Sequence, residues 1–128
     1  MIQQLTPNLA VDRIEPSVTF FEKVGFKVSV QVPEGDHLGF AILEQGQNQV
    51  MFQTRTSILD DSEAFADAAK ATPMMLYITV TDLDAIIAAM NEYPIYMAER
   101  KTFYGAREVG YTEPGGHIVT FAEFPDSA

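Results

Sequence analysis

Residues 8–26 read NLAVDRIEPSVTFFEKVGF, and residues 77–95 repeat their pattern with few identities as YITVTDLDAIIAAMNEYPI. Each stretch begins as a short alternating strand and continues with apolar residues at helical spacing. At this offset of 69 residues Val11 falls on Val80, Ile14 on Leu83, Val18 on Ile87 and Phe21 on Met90. Pro16 suits the first turn of a helix, and Thr81 followed by Asp84 has the form of a capping box.

The same offset carries on without a gap. Glu44 falls on Glu113, Gly46 on Gly115, Val50 on Val119 and Phe52 on Phe121. Three strand-like runs follow the helix in each half, so each half reads as a βαβββ module. The expected fold is α+β, with two such modules forming a curved mixed sheet. Module 1 spans residues 3–54 and module 2 residues 74–124. Between them TSILDDSEAFADAAKATP, rich in Ala, Asp and Ser, predicts an acidic helical tether over 55–73. With 128 residues the chain is one domain's worth, so the modules are expected to share a core.

Composition narrows function. There are 18 acidic against 8 basic side chains, a net charge of −10, which repels a phosphate backbone and sets nucleic acid aside as a partner. The surplus of carboxylates either serves solubility or attracts a cationic small molecule. Cysteine is absent, which excludes disulfides, thiolate metal sites and cysteine nucleophiles. The start MIQQLTPNLA lacks a basic region and a long apolar run, and no segment is long enough to span a membrane. A cytoplasmic location with no membrane partner is the expectation.

Strand alternation sorts the residues by face. Leu5, Leu9 and Val11, with Leu76, Ile78, Val80, Val50, Phe52, Val119 and Phe121, form the apolar face that the helices must cover. The other face carries Thr6, Asn8, Gln49, Met51, Gln53, Met75, Tyr77, Thr79 and Thr120. Neutral hydrogen-bonding groups among soft apolar ones line a small-molecule pocket, unless the face is core against another sheet. No carboxylate or imidazole stands on it by this parity. His117 shares the parity of Val119 and Phe121, so it is expected to point away from the pocket or to cap the turn, and Glu123 shares that outer parity. His37 lies near the Gly-rich bend GDHLG, which reads as a turn and not a phosphate loop.

NLAVDRIEPSVTFFEKVGF, ITVTDLDAIIAAM and REVGYTEPGGHIVTF together resemble the vicinal oxygen chelate superfamily, which includes glyoxalase I, extradiol dioxygenases, and fosfomycin- and bleomycin-resistance proteins. The resemblance covers nearly the whole chain apart from the tether. It implies paired βαβββ modules, closed into pockets in a homodimer. In metal-dependent members a His, Gln or Glu stands near the start of each module's first strand and a Glu often stands on its last. Counting from Val11 and Val80, and from the glycine turns, puts Thr6, Met75, Met51 and Thr120 at those positions. None is a competent ligand for Zn, Ni, Mn or Fe(II), so no metal and no cofactor are expected.

The resemblance also implies ligand contacts at Arg107 and Glu108, on the strand after TFYGA; Tyr104 either stacks on a flat ligand or packs, and the sequence leaves open whether Phe40 and Arg107 face inward. Arg107 with Glu108 is otherwise an exposed ion pair. The reading that follows is a metal-independent, bleomycin-resistance-like binder of a small cationic or aromatic molecule. Tyr77, Tyr104 and Phe40 would supply flat surface, and Asn8, Gln49 and Gln53 would orient polar groups. The alternatives are a lyase, isomerase or dioxygenase of the same superfamily, which needs a general base in the pocket, and a protein-interaction module.

Overall fold

Strand β1 (Asn8–Val11) begins one residue after Pro7. The proline carbonyl accepts from Met51 N–H at 2.9 Å, but its own nitrogen has no hydrogen to give. Leu5 therefore lies outside the strand and is exposed, whereas the sequence placed it on the apolar face. The computed structural model describes residues 1–70 and 73–125. They fall into two compact units, Met1–Thr72 and Pro73–Ala128.

In the first unit β1 leads into α1 (Glu15–Glu22), then β2 (Lys27–Glu34), β3 (His37–Gln45) and β4 (Asn48–Thr54). The sheet order is β1-β4-β3-β2, with β1 parallel to β4 and the other pairs antiparallel. Pro16 occupies the first turn of α1, as its fixed φ and missing N–H allow. Gly25, at φ +101°, ends the helix in a conformation closed to most side chains, and Phe26 N–H then returns to the Phe21 carbonyl at 3.1 Å. Helix α1 buries Phe20 and Phe21 on the side of the sheet that carries Leu9, Val11, Ala41, Leu43, Val50 and Phe52. The Phe21 ring meets Phe20, Phe26 and Phe52 at centroid distances of 5.2, 5.3 and 5.5 Å. The predicted tether is helical in three short pieces: α2 (Arg55–Asp61), a 3-10 turn (Glu63–Phe65) and α3 (Ala66–Ala69). Thr54 caps α2 by accepting from Ser57 N–H at 3.1 Å.

The second unit repeats the order: β5 (Met75–Thr79), α4 (Leu83–Ala89), β6 (Ile95–Lys101), β7 (Arg107–Thr112) and β8 (Ile118–Glu123). Its sheet runs β5-β8-β7-β6. The architecture is α+β, two βαβββ modules, each closing its own four-stranded mixed sheet. Leu83 and Met90 are buried with Val109, Tyr111, Val119 and Phe121. The cap of α4 is Asp82 and not Thr81: its carboxylate accepts from Ala85 N–H at 3.1 Å. Glu123 takes Leu83 N–H at 2.7 Å, so this outer-parity carboxylate serves the helix start.

The offset of 69 does not hold throughout. Residues 51 and 120 are equivalent, as partners of Asn8 and Tyr77 in the parallel pairs. Across the next ladder Met51 pairs with Ile42, while Thr120 pairs with Gly110. Strands β3 and β7 are therefore 68 residues apart, because the turn between β7 and β8 is one residue longer than its mate. A slip of one residue exchanges the two faces of a strand.

Candidate functional site

On the open face of the first sheet, away from α1, the register brings Asn8 and Ala10 beside Met51 and Gln53, and Gln53 beside Phe40. Phe40 therefore stands among the residues expected to contact ligand. Ile42, Val30 and Val32 extend the apolar part of this face. The amides are already engaged: Asn8 donates to Gln53 at 3.0 Å, Gln53 to Ser57 Oγ at 3.0 Å, and Gln49 to Glu44 at 2.8 Å. Thr6, just ahead of β1, donates to Gln49 Oε1 at 2.6 Å. What remains open to a ligand is largely the apolar strip of Phe40, Ile42 and Met51, each partly exposed.

The open face of the second sheet carries Met75, Tyr77, Thr79, Ile118, Thr120 and Ala122, and with them Glu108 and Gly110 of β7. Arg107 is not among them. It pairs with Glu123 and shares the parity of Val109 and Tyr111, so it lies on the helix-covered side, bridging Asp84 at 3.0 Å and Glu99 at 2.7 Å. Those two carboxylates keep its guanidinium firmly protonated. The expectation that Arg107 faces the site is thus corrected, and so is the expectation that no carboxylate does. The cause is the one-residue slip of β7: Glu108, not Val109, is the counterpart of Phe40.

Glu108 is the centre of this face. Its side chain is 1% exposed. Tyr77 and Tyr104 both donate their phenolic hydrogens to Oε2 at 2.5 Å. Arg100 reaches Oε1 with Nε at 3.2 Å and Nη2 at 3.1 Å. Burial alone would raise the Glu108 pKa, but the hydrogen bonds from Tyr104, Tyr77 and Arg100 outweigh it and hold the carboxyl below its ordinary value. Tyr77 shifts the other way: burial, then the bond to Glu108, keep its phenol protonated well beyond the usual tyrosine range.

Tyr77 sits on β5 and Glu108 on β7, two strands and about 10 Å apart. To bridge them the Tyr77 side chain must cross β8, where Thr120 stands beside Tyr77 and Ala122 beside Glu108. The small residues make room for a ring laid across the strand, and that ring is 51% exposed. Tyr104, 47% exposed, comes from the β6–β7 turn, with Phe103 edge-on at 5.0 Å and Phe124 at 6.2 Å. Beside them Gly110 is closely packed: a Cβ there would lie 3.3 Å from Met97 Cβ and from Thr120 Oγ1, so the strand has room only for glycine without a shift of its neighbours.

Both histidines lie elsewhere. His117 is buried at the β7–β8 turn, where its ring Nδ1 accepts from Met74 N–H at 2.9 Å and its backbone N–H donates to Glu113 Oε1 at 3.1 Å. His37 starts β3 at the rim of a shallow cavity of about 260 Å³ lined by Glu15, Pro33, Gly35, Asp36 and Leu38. The hydrogen bond to Asp36 raises its pKa. None of the residues chosen from the sequence lines that cavity.

A metal does not fit the positions at which metal-dependent relatives hold one. Thr6, Met51, Met75 and Thr120 offer hydroxyl and thioether groups, not the imidazoles and carboxylates that hard or borderline divalent ions require. Among the described residues no three His, Cys, Asp or Glu side chains gather as a ligand set. Also among them, no helix is long and apolar enough to cross a membrane.

A family model described as the Glyoxalase/Bleomycin resistance protein/Dioxygenase superfamily matches residues 2–121. Many solved structures are similar in fold. TioX from Micromonospora sp. ML1 has 18% identity and a TM-score of 0.76, covering 95% of this chain and 98% of that one. Lactoylglutathione lyase from Agrobacterium tumefaciens has 13% identity and a TM-score of 0.75, covering 94% and 92%. A bleomycin-binding protein complexed with bleomycin has 18% identity and a TM-score of 0.63, covering 95% and 98%. No curated protein matches the chain at a significant level.

Proposed function

The chain belongs to the Glyoxalase/Bleomycin resistance protein/Dioxygenase superfamily, and we propose that within it this protein is a metal-independent binder of a small aromatic molecule, acting as a homodimer. One observation carries the reading: the buried carboxylate of Glu108 fixes two half-exposed phenol rings on an open sheet face. A ring held by its hydroxyl loses little freedom when a flat ligand stacks on it, so less of the stacking energy is spent on ordering. The likeness to a bleomycin-binding protein supports a binding role, and the net charge of −10 favours ligands with cationic groups at long range.

An enzyme is the second reading, favoured by the carboxylate now found on the open face. Glu108, however, accepts from three side chains and has its pKa lowered, the opposite of what a general base working at neutral pH needs.

The test is thermal unfolding of metal-stripped protein with bleomycin and with a panel of flat aromatic compounds, and separately with Zn, Ni, Co, Mn and Fe(II). A native-state ligand at 100 times its dissociation constant adds about 2.7 kcal/mol, a rise of several degrees. An aromatic compound should raise the midpoint with or without chelator. A specific rise with one metal, and none with any organic compound, would put the enzyme reading ahead.

A further inference from the structure

The pair formed by Arg100 and Glu108 shows solvent its positive end. Glu108 is 1% exposed while Arg100 is 56% exposed, in a chain whose net charge is −10. Glu99, the neighbouring acid in sequence, is taken up by Arg107. Lys101 pairs with Arg107 in the ladder and so shares the opposite face. The open face of the second sheet therefore presents an arginine beside two phenol rings.

Hydrogen-bonding capacity points the same way. Both phenols have spent their single hydrogen on Glu108 Oε2, so their oxygens can only accept further bonds. A guanidinium has five N–H groups, and Arg100 directs two nitrogens at Oε1. The donors left over in this cluster are those of Arg100. A ligand group that needs donors, a carbonyl or a carboxylate, finds them there, and the planar fork of arginine matches such a group.

We infer that the ligand of this face is a flat conjugated molecule bearing a carbonyl or carboxylate on its edge, which Arg100 binds while the ring rests on Tyr77, and that Glu108 is the positioning residue for Arg100, Tyr77 and Tyr104. The inference rests on the small-molecule reading above and adds the polarity of the ligand. It separates the long-range preference of an acidic protein for cations from the local preference of this face for an acceptor.

The experiment compares two probes with the same ring and opposite charge, 2-naphthoate and (2-naphthylmethyl)ammonium, by NMR titration at pH 7. Naphthoate should bind more tightly by about tenfold, the scale of one hydrogen bond to a charged group, and Arg100→Gln should remove the difference. Glu108→Gln should weaken naphthoate binding and also lower the ionisation midpoint of Tyr77 followed by ultraviolet absorbance, a change that a purely structural role would not produce in a folded variant. If Glu108→Gln does not fold, Tyr77→Phe, which breaks one of the three bonds at an exposed residue, should weaken naphthoate by itself. Equal or tighter binding of the ammonium probe would overturn the inference while leaving the small-molecule reading in place. Failure of either probe and of every aromatic compound to bind would overturn both.

Discussion

Tyr77 and Tyr104 share one acceptor atom: both phenol oxygens lie 2.5 Å from Oε2 of Glu108, one arriving from an edge strand and the other from a turn. The carboxylate thus ties β5 to the β6–β7 turn across the intervening strand. It joins parts of the second module that have no backbone ladder between them.

Replacing Tyr77 with alanine should remove the stacking surface while leaving the fold intact, because the side chain is half exposed and Glu108 keeps its bonds from Tyr104 and Arg100. Base rates for stacking put the loss at about 1 kcal/mol, or roughly fivefold in affinity. Far-ultraviolet circular dichroism should be unchanged; unchanged affinity for an aromatic ligand would remove Tyr77 from the site.

Glu108 should make stability depend on acid. Its folded pKa lies below the ordinary 4.5, so its contribution is fully present above that value and is lost as pH falls through the folded pKa. Urea unfolding at a series of pH values between 6 and 2 should show Glu108→Gln losing less stability on acidification than the parent. Parallel curves would mean that the three hydrogen bonds do not favour the ionised form.

Arg107→Ala should leave ligand affinity unchanged and lower stability only slightly, because ion pairs open to solvent are screened and contribute little. A large loss of binding would contradict its place on the helix-covered side.

His117→Phe should destabilise the second module by about 1 kcal/mol, since it removes the buried imidazole that accepts from the Met74 N–H just ahead of β5. The measurement is the unfolding midpoint, and no change would show that water replaces the imidazole nitrogen at no cost.

Much of this fold is legible in the sequence because two independent periodicities, helical and strand, coincide at one offset. Leu9, Val11, Val119 and Phe121 declare their face by alternation alone. Phe40 and Arg107 do not, since β3 and β7 are reached only by counting through a turn, and turns carry no periodicity. Glycines at 46 and 115 suggested equal turn lengths, but the conformation that requires glycine falls at Gly46 and Gly116, at φ +59° and +94°. Aligning on those two positions gives an offset of 70, so no simple alignment of turn glycines recovers the register of β7. The buried carboxylate was hidden for a second reason: a Glu beside an Arg in sequence reads as an ion pair, whereas alternation sends the two to opposite faces.

The extra residue between β7 and β8 has a consequence for how such a face is acquired. Relative to a module with the shorter turn, adding one codon re-addresses the whole of β7 at once, turning Glu108 and Gly110 toward the open face and Arg107, Val109 and Tyr111 toward the helix. Strand and turn then become separate inheritances: the turn's length chooses which half of the strand's chemistry is displayed, without any change to the strand itself.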